Sequence, residues 1–265
     1  MAIDIGPGAS KLGLYVIGNY TCFNVENPAN ADGIITAMQC YFTASRTSVK
    51  MGTFYGSGSL WTNRDYESLG SCAGGSTTTF TGLNCECEAG DQIGLHSAYY
   101  LAIKYTGQGY YRNKEDTFSA GEKSYTFASD STVALYATGV SAATVTTQEE
   151  TDVASTSMTA NGNITDTGGS GSDVTRRGFC YMKGTSGDPT TANSTAYDDG
   201  TFGTGSFSKS ITGLSPSTNY RLRAFAVNIT GTSYGATVLS LTTTGQPARK
   251  RMGGVPHASM QKGVW

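Results

Sequence analysis

Residues 211–227, ITGLSPSTNYRLRAFAV, decide how this chain reads. The stretch ends one strand at Ile211, turns through Gly213, Pro216 and Asn219, and then alternates. Tyr220, Leu222, Ala224 and Ala226 share one face; Arg221, Arg223 and Phe225 share the other. Successive side chains on a strand point to opposite faces, so this period of two predicts a strand with one packed side.

Composition carries the β reading outward to the whole chain. Gly is 35 of 265 residues, well above a usual share of about 7%. Each interior Gly costs a helix about 1 kcal/mol, and no window offers three clean helical turns. The class is all-β, and a 38% hydrophobic content supplies two sandwich cores rather than a disordered chain. Charged residues are 14% and the net charge is −2, so the chain as a whole has no attraction for nucleic acid.

Strand signals place one β-sandwich at 142–244, with strands at 143–147, 153–164, 174–182, 205–211, 219–228 and 232–243. Residues 183–200 read as a long polar loop. A first β-sandwich occupies 1–139. Its strands fall at 12–17, 20–25, 33–44, 47–56, 98–105, 122–127 and 131–138, with two more in 76–97 about the turn Glu88-Ala89-Gly90-Asp91. Residues 1–10 read as a lead-in and 55–71 as a loop. GIITAMQCYFTA (33–44) is apolar on both faces, which suits a central strand. The connection at 139–142 is short, so the two units should touch. Residues 245–265 read as an extended basic tail.

Three motifs resemble known modules. Leu214-x-Pro216-x-Thr218-x-Tyr220 resembles the corner before strand F of a fibronectin type III sandwich, which implies that the Tyr220 hydroxyl reaches back to upstream backbone. Arg177-Gly178-Phe179-Cys180-Tyr181 is similar to strand C of bacterial and phage versions; the strand-B Trp of the animal pattern is missing. Phe80-x-Gly82-Leu83 with Ala89-Gly90-Asp91-x-Ile93-Gly94-Leu95 resembles the penultimate strands of jelly-roll modules in virion proteins and adhesins. A fold does not by itself state a function.

Catalytic signals are weak. His96 lies in an apolar strand with no nucleophile motif and reads as structural. Glu149-Glu150 and Asp198-Asp199 are neighbours in sequence, whereas glycoside hydrolysis needs two carboxyls set across a cleft. The loops at Asp188 and Asp198 lack calcium-loop spacing. Cys22, Cys40, Cys72, Cys85, Cys87 and Cys180 include no CxxC and are accompanied by two His, so no zinc site is expected. Cys85 and Cys87 would sit ~6.6 Å apart on one strand face, an awkward disulfide. The six thiols read as small buried hydrophobes. No enzyme activity, metal or cofactor is expected.

Binding signals are stronger. Trp61, Tyr99, Tyr100, Tyr110 and Tyr111 could form a stacking platform for sugars or a protein partner, although strand alternation turns half of each Tyr pair inward. The tail carries Arg249, Lys250, Arg251 and Lys262 without an acid, interleaved with Met252, Val255, Met260, Val264 and Trp265. That mixture suits an extended anchor in a protein groove or on a sheet edge better than a nucleic-acid arm.

The opening MAIDIGPGASKLGLYVIG has no basic n-region and early glycines, so no secretory leader is expected there. No run approaches the ~18 apolar residues of a membrane span. The resemblances therefore imply a non-enzymatic structural protein of a tailed-phage virion, made in the host cytoplasm: a capsid decoration, head fibre or tail-surface protein. It would dock through its tail to other virion proteins or to further copies in a homo-oligomer, and could adhere to host-surface glycans. The alternative is an extracellular bacterial carbohydrate-binding or adhesion protein.

Overall fold

The computed structural model describes residues 2–9, 16–17, 19–98, 101–104, 108–169 and 173–246, and every regular element among them is a β-strand. In the N-terminal unit two antiparallel sheets face each other. One has the order β1 (Ala2–Ile5), β14 (Leu135–Ser141), β4 (Gly33–Tyr41) and β7 (Thr77–Cys87). The other runs β6 (Leu60–Cys72), β5 (Arg46–Ser57), β8 (Gln92–Ser97), β3 (Tyr20–Asn24). It is extended by β11 (Lys123–Ser124) beside β6 and by β10 (Tyr110–Asn113) and β12 (Thr126–Ala128) beyond β3. A small third sheet joins β13 (Thr132–Val133), β9 (Leu101–Lys104) and β2 (Val16–Ile17).

Without the added strands, eight remain: 1-14-4-7 facing 6-5-8-3. The chain changes sheet at each step between these eight except the β5–β6 hairpin, which is the connectivity of a jelly roll. Ile3, Ile35, Met38, Met51, Ile93 and Leu135 fill the space between the sheets. The expected lead-in is in fact β1: Ile3 and Ile5 are fully buried, and the strand pairs with β14 from Ala2↔Val140 to Ile5↔Ala137.

The second correction concerns 55–71. Most of it belongs to β6, a 13-residue strand paired along β5, with the hairpin turning at Gly58. Its middle is polar because the side chains bond rather than pack. Asn63 Nδ2 donates to the Thr53 carbonyl at 3.0 Å, and Asp65 Oδ2 accepts from the Glu86 amide at 2.8 Å.

The segment between β8 and β14 covers the outer face of the seven-stranded sheet. Phe118 and Tyr125 from this segment close over Phe23, Phe54 and Trp61 as a second, aromatic core, with Tyr66 and Tyr111 at its edge. Alternation along β3 serves both cores: Cys22 enters the space between the sheets and Phe23 the aromatic cluster.

The C-terminal unit is an Ig-like sandwich. β15 (Thr144–Thr151), β16 (Ser157–Asp166) and β19 (Gly205–Thr212) face β18 (Ser194–Phe202), β17 (Val174–Lys183) and β20 (Asn219–Asn228). β21 (Gly231–Tyr234) and β22 (Leu239–Thr242) both pair with β20. The polar run 183–200 thus ends in a strand, β18, on the edge of its sheet. Its largely exposed side chains explain why it carries no apolar alternation. Phe179, Leu222, Ala224 and Ala226 form the core, and Tyr220 accepts a hydrogen bond from the Ser215 amide at 2.9 Å. The opening stretch therefore packs as expected, with its hydroxyl reaching back across the turn.

Two residues, Ala142 and Ala143, separate β14 from β15. The Ser141 amide donates to the Gly168 carbonyl at 2.8 Å, and Asn228 Nδ2 donates to the carbonyls of Ser141 and Thr167 at 2.9 and 3.0 Å. The connection is thereby tied to the far ends of β16 and β20.

Candidate functional site

Of the expected aromatic platform, Trp61 and Tyr110 are structural. Trp61 is 8% exposed; its Nε1 donates to the Gly58 carbonyl at 2.9 Å, and its ring lies 4.8 Å from Phe23 and 5.5 Å from Tyr111. Tyr110 is 2% exposed and points between the sheets, because adjacent strand residues face opposite ways. Burial pushes its hydroxyl up to about 12. Tyr111 turns the other way, against Phe23 at 5.3 Å and Phe127 at 5.2 Å. Trp61 and Tyr110 are thus corrected from solvent-facing rings to core, and the ring presented at this rim is Phe127, 47% exposed. Tyr99 and Tyr100 lie outside the described residues, as do Arg249, Lys250, Arg251, Met252, Val255, Val264 and Trp265 of the tail.

The loop carboxylates are engaged by cations. Asp198 pairs with Lys209, Asp188 with Arg221 at 3.2 Å, and Asp199 takes both forks of Arg176 at 2.6 and 3.2 Å. Among the described residues no three His, Cys, Asp or Glu side chains gather as a metal site. His96 is buried against Thr21, with Nδ1 3.2 Å from Oγ1.

A concave site does form beside the sequence Tyr110-Tyr111-Arg112-Asn113-Lys114. β10 pairs with β3 so that Tyr110 opposes Asn24 and Arg112 opposes Cys22. Tyr110 and Cys22 belong to the core between the sheets. Two residues along each strand, Arg112 and Tyr20 continue the same face past the core, and the guanidinium sits 5.7 Å over the Tyr20 ring. Asn113 Nδ2 donates to the Ser124 carbonyl at 2.9 Å while its Oδ1 accepts the Glu115 amide at 2.9 Å, which fixes the turn carrying Lys114. The resulting cavity of about 290 Å³ is lined by Tyr20, Arg112, Asn113, Lys114, Ser124 and Thr126.

Its electrostatics differ from those of the other aromatic depression. A groove of about 190 Å³ on the outer face of β17 and β20 also offers a Tyr, Tyr197, and threonine hydroxyls, but its Arg176 is already neutralised by Asp199. Among the described residues neither Arg112 nor Lys114 pairs with a carboxylate; Glu115, the nearest acid in sequence, leans to Lys123 at 3.8 Å. The first cavity therefore joins two uncompensated cations, an aromatic ring, an amide and hydroxyls, a set suited to an acidic saccharide. Composition alone hid it, since Tyr20 lies some ninety residues from Arg112 and only the β3–β10 register unites them.

No protein-family model matches the chain, and no curated protein matches it. Among solved structures it resembles the sensor domain of the anti-sigma factor RsgI4 in Pseudobacteroides cellulosolvens. A shorter version is 17% identical with a TM-score of 0.30, covering 40% of this chain and 99% of that one. A longer version is 13% identical with a TM-score of 0.29, covering 47% and 100%.

Proposed function

We propose that this is a non-enzymatic structural protein of a tailed-phage virion, carried on the capsid or tail surface, whose jelly roll binds an acidic host-surface glycan. The observation that carries the glycan reading is the uncompensated pair Arg112 and Lys114 set against Tyr20 in a half-open hollow. Binding there would be electrostatic in large part and so would weaken with salt. The virion reading is supported by the coupling of a jelly roll to an Ig-like sandwich across a two-residue joint, an arrangement suited to a stiff outward-facing arm. Residues 245–265 would attach that arm to the particle or to neighbouring copies.

The glycan part is tested on an array of neutral and acidic saccharides. Acidic glycans are expected to bind, and Arg112→Ala with Lys114→Ala to abolish binding; a blank array, or binding indifferent to both substitutions, rejects the site. The virion part is tested by truncation after Thr244 in the assembling particle. Loss from the particle is expected, and full occupancy rejects the anchor. The alternative, an extracellular bacterial adhesion protein, would use the same cavity and be found in secreted fractions without particles.

A further inference from the structure

We propose that Cys40 and Cys72 join in a disulfide that stitches the two sheets of the jelly roll when the folded protein meets a hydroperoxide. Cys40 lies on β4 and Cys72 ends β6, strands of opposite sheets, and both are buried. Their Sγ atoms are 3.4 Å apart. The backbone supports the pairing independently. Phe42 and Gly74 form a parallel bridge, and the Gly75 amide donates to the Phe42 carbonyl at 2.8 Å. Two residues back on each chain stand Cys40 and Cys72. The bridge therefore draws the end of β4 and the end of β6 together beside the two thiols, closing the sandwich edge where their sulfurs meet.

The other thiols are placed differently. Cys85 and Cys87 share one strand, β7. Cys87 Sγ donates to the Ala31 carbonyl at 3.8 Å and Cys180 Sγ to the Arg223 carbonyl at 3.4 Å, weak contacts of the kind Cys72 Sγ also makes with the Ala73 carbonyl at 3.7 Å. Burial pushes Cys87 up to about 12 and Cys180 up to about 11, and it raises Cys22 and Cys85 as well. Cys72 goes the other way: its hydrogen bond with Cys40 lowers it, against the effect of burial and with help from Thr78. Cys40 is raised by its hydrogen bond with Cys72 and by burial. Cys72, at the end of β6 beside exposed Ala73, is the thiol a small solute reaches first, and it attacks as its thiolate.

The chemistry balances with hydrogen peroxide as oxidant. Cys72 thiolate attacks one peroxide oxygen, the O–O bond breaks, and hydroxide leaves, giving a sulfenic acid on Cys72. Cys40 gives up its proton and attacks the Cys72 sulfur; the S–O bond breaks and a second hydroxide leaves. Each hydroxide takes a proton. In sum, two thiols and one peroxide yield one disulfide and two waters, with two electrons passing from sulfur to oxygen. Cys72 is the last residue of β6 and precedes exposed Ala73, which places it at the edge of the core nearest solvent, where a molecule as small as peroxide has the shortest path.

The experiment uses the full chain, purified reduced, freed of reductant and titrated with hydrogen peroxide. The intact mass is expected to fall by two hydrogens, a digest to yield a peptide linking residues 40 and 72, and the Tm to rise by several degrees, all reversed by dithiothreitol. Cys72→Ser is expected to lose the link. Added oxygen without a link, a link between other cysteines, or no reaction of the folded wild type overturns the proposal. The wild-type peptide map decides even if the variant fails to fold, and it is independent of glycan or particle binding.

Discussion

Arg64 holds Asp91 by both carboxylate oxygens, Nε to Oδ2 at 2.6 Å and Nη2 to Oδ1 at 3.2 Å, and Asp91 is 2% exposed. The pair ties the middle of β6 to the turn between β7 and β8. Asp91 Oδ2 also accepts the Glu88 amide at 2.9 Å, and Glu88 returns a contact to Arg64 at 2.9 Å. Removing one partner of a buried pair strands the other charge, a loss of roughly 3–5 kcal/mol. Arg64→Ala is expected to lower the unfolding free energy measured by urea titration by that amount. Arg64→Lys should recover only part, because an ammonium cannot fill the two-pronged contact. A loss below about 1 kcal/mol for Arg64→Ala would show that water already screens the pair.

His96 makes the jelly roll sensitive to mild acid. Burial holds its imidazole below the ordinary range; Asp116 pulls it back up, and Lys50 presses it further down. The folded state therefore prefers neutral His96, while the unfolded chain takes a proton as pH falls through about 6.5. Stability is fully present above that pH and declines as pH drops toward the depressed folded value. Thermal melts from pH 8 to pH 5 are expected to show this decline, and His96→Gln to flatten it. The buried partner matters here: Thr21 gives its proton to the Glu115 carbonyl at 2.7 Å, so its oxygen is left to accept from the ring. An equal slope in the variant would place the titration elsewhere.

What the sequence disclosed tracks where apolar side chains do the holding. The alternation in 211–227 and the doubly apolar 33–44 became β20 and β4 because burial accounts for their apolar residues. β6 and β18 were hidden for the opposite reason. Asn63, Asp65 and Arg64 are fixed by hydrogen bonds to β5, β7 and the following turn, and Asp198 and Asp199 by Lys209 and Arg176. Such partners leave no period in the sequence. Trp61 misled in another way: a Trp in a Ser-, Gly- and Asn-rich run suggests a surface ring, and it is buried by Phe23 of β3 and Tyr111 of β10, which long-range pairing brings against it. The same long-range pairing created the Tyr20–Arg112 cavity.

Trp61 is accordingly expected to govern stability rather than ligand affinity. Truncation of a buried Trp costs about 3–5 kcal/mol. Trp61→Ala should lower the Tm and expose the covering segment around Phe118 to limited proteolysis, since that segment packs onto the aromatic cluster. Trp61→Phe should retain most of the packing while losing the bond to Gly58. Glycan affinity measured below the melting transition should be unchanged in the Phe variant; a selective loss of affinity would return Trp61 to the binding surface.

Gly168 is the residue on which the joint between the two sandwiches turns. Its φ is +102°, in the region that L side chains seldom adopt, and a Cβ there would stand 2.0 Å from the Ser141 carbonyl oxygen. Gly168→Ala must therefore shift the backbone that accepts the Ser141 amide and meets Asn228. Gly184 supplies the control: its φ is +129°, but nothing lies within 4 Å of a Cβ built on it. Gly184→Ala carries the conformational penalty alone, about 1–2 kcal/mol. Gly168→Ala adds the collision, so its loss is expected to exceed that of the control by at least ~1 kcal/mol. Hydrogen exchange at Ser141 should accelerate in the first variant and stay slow in the second, because only the first opens the bond to Gly168. Equal losses and equal exchange in the two variants would mean that the joint yields freely, and the case for a stiff arm would fall with it.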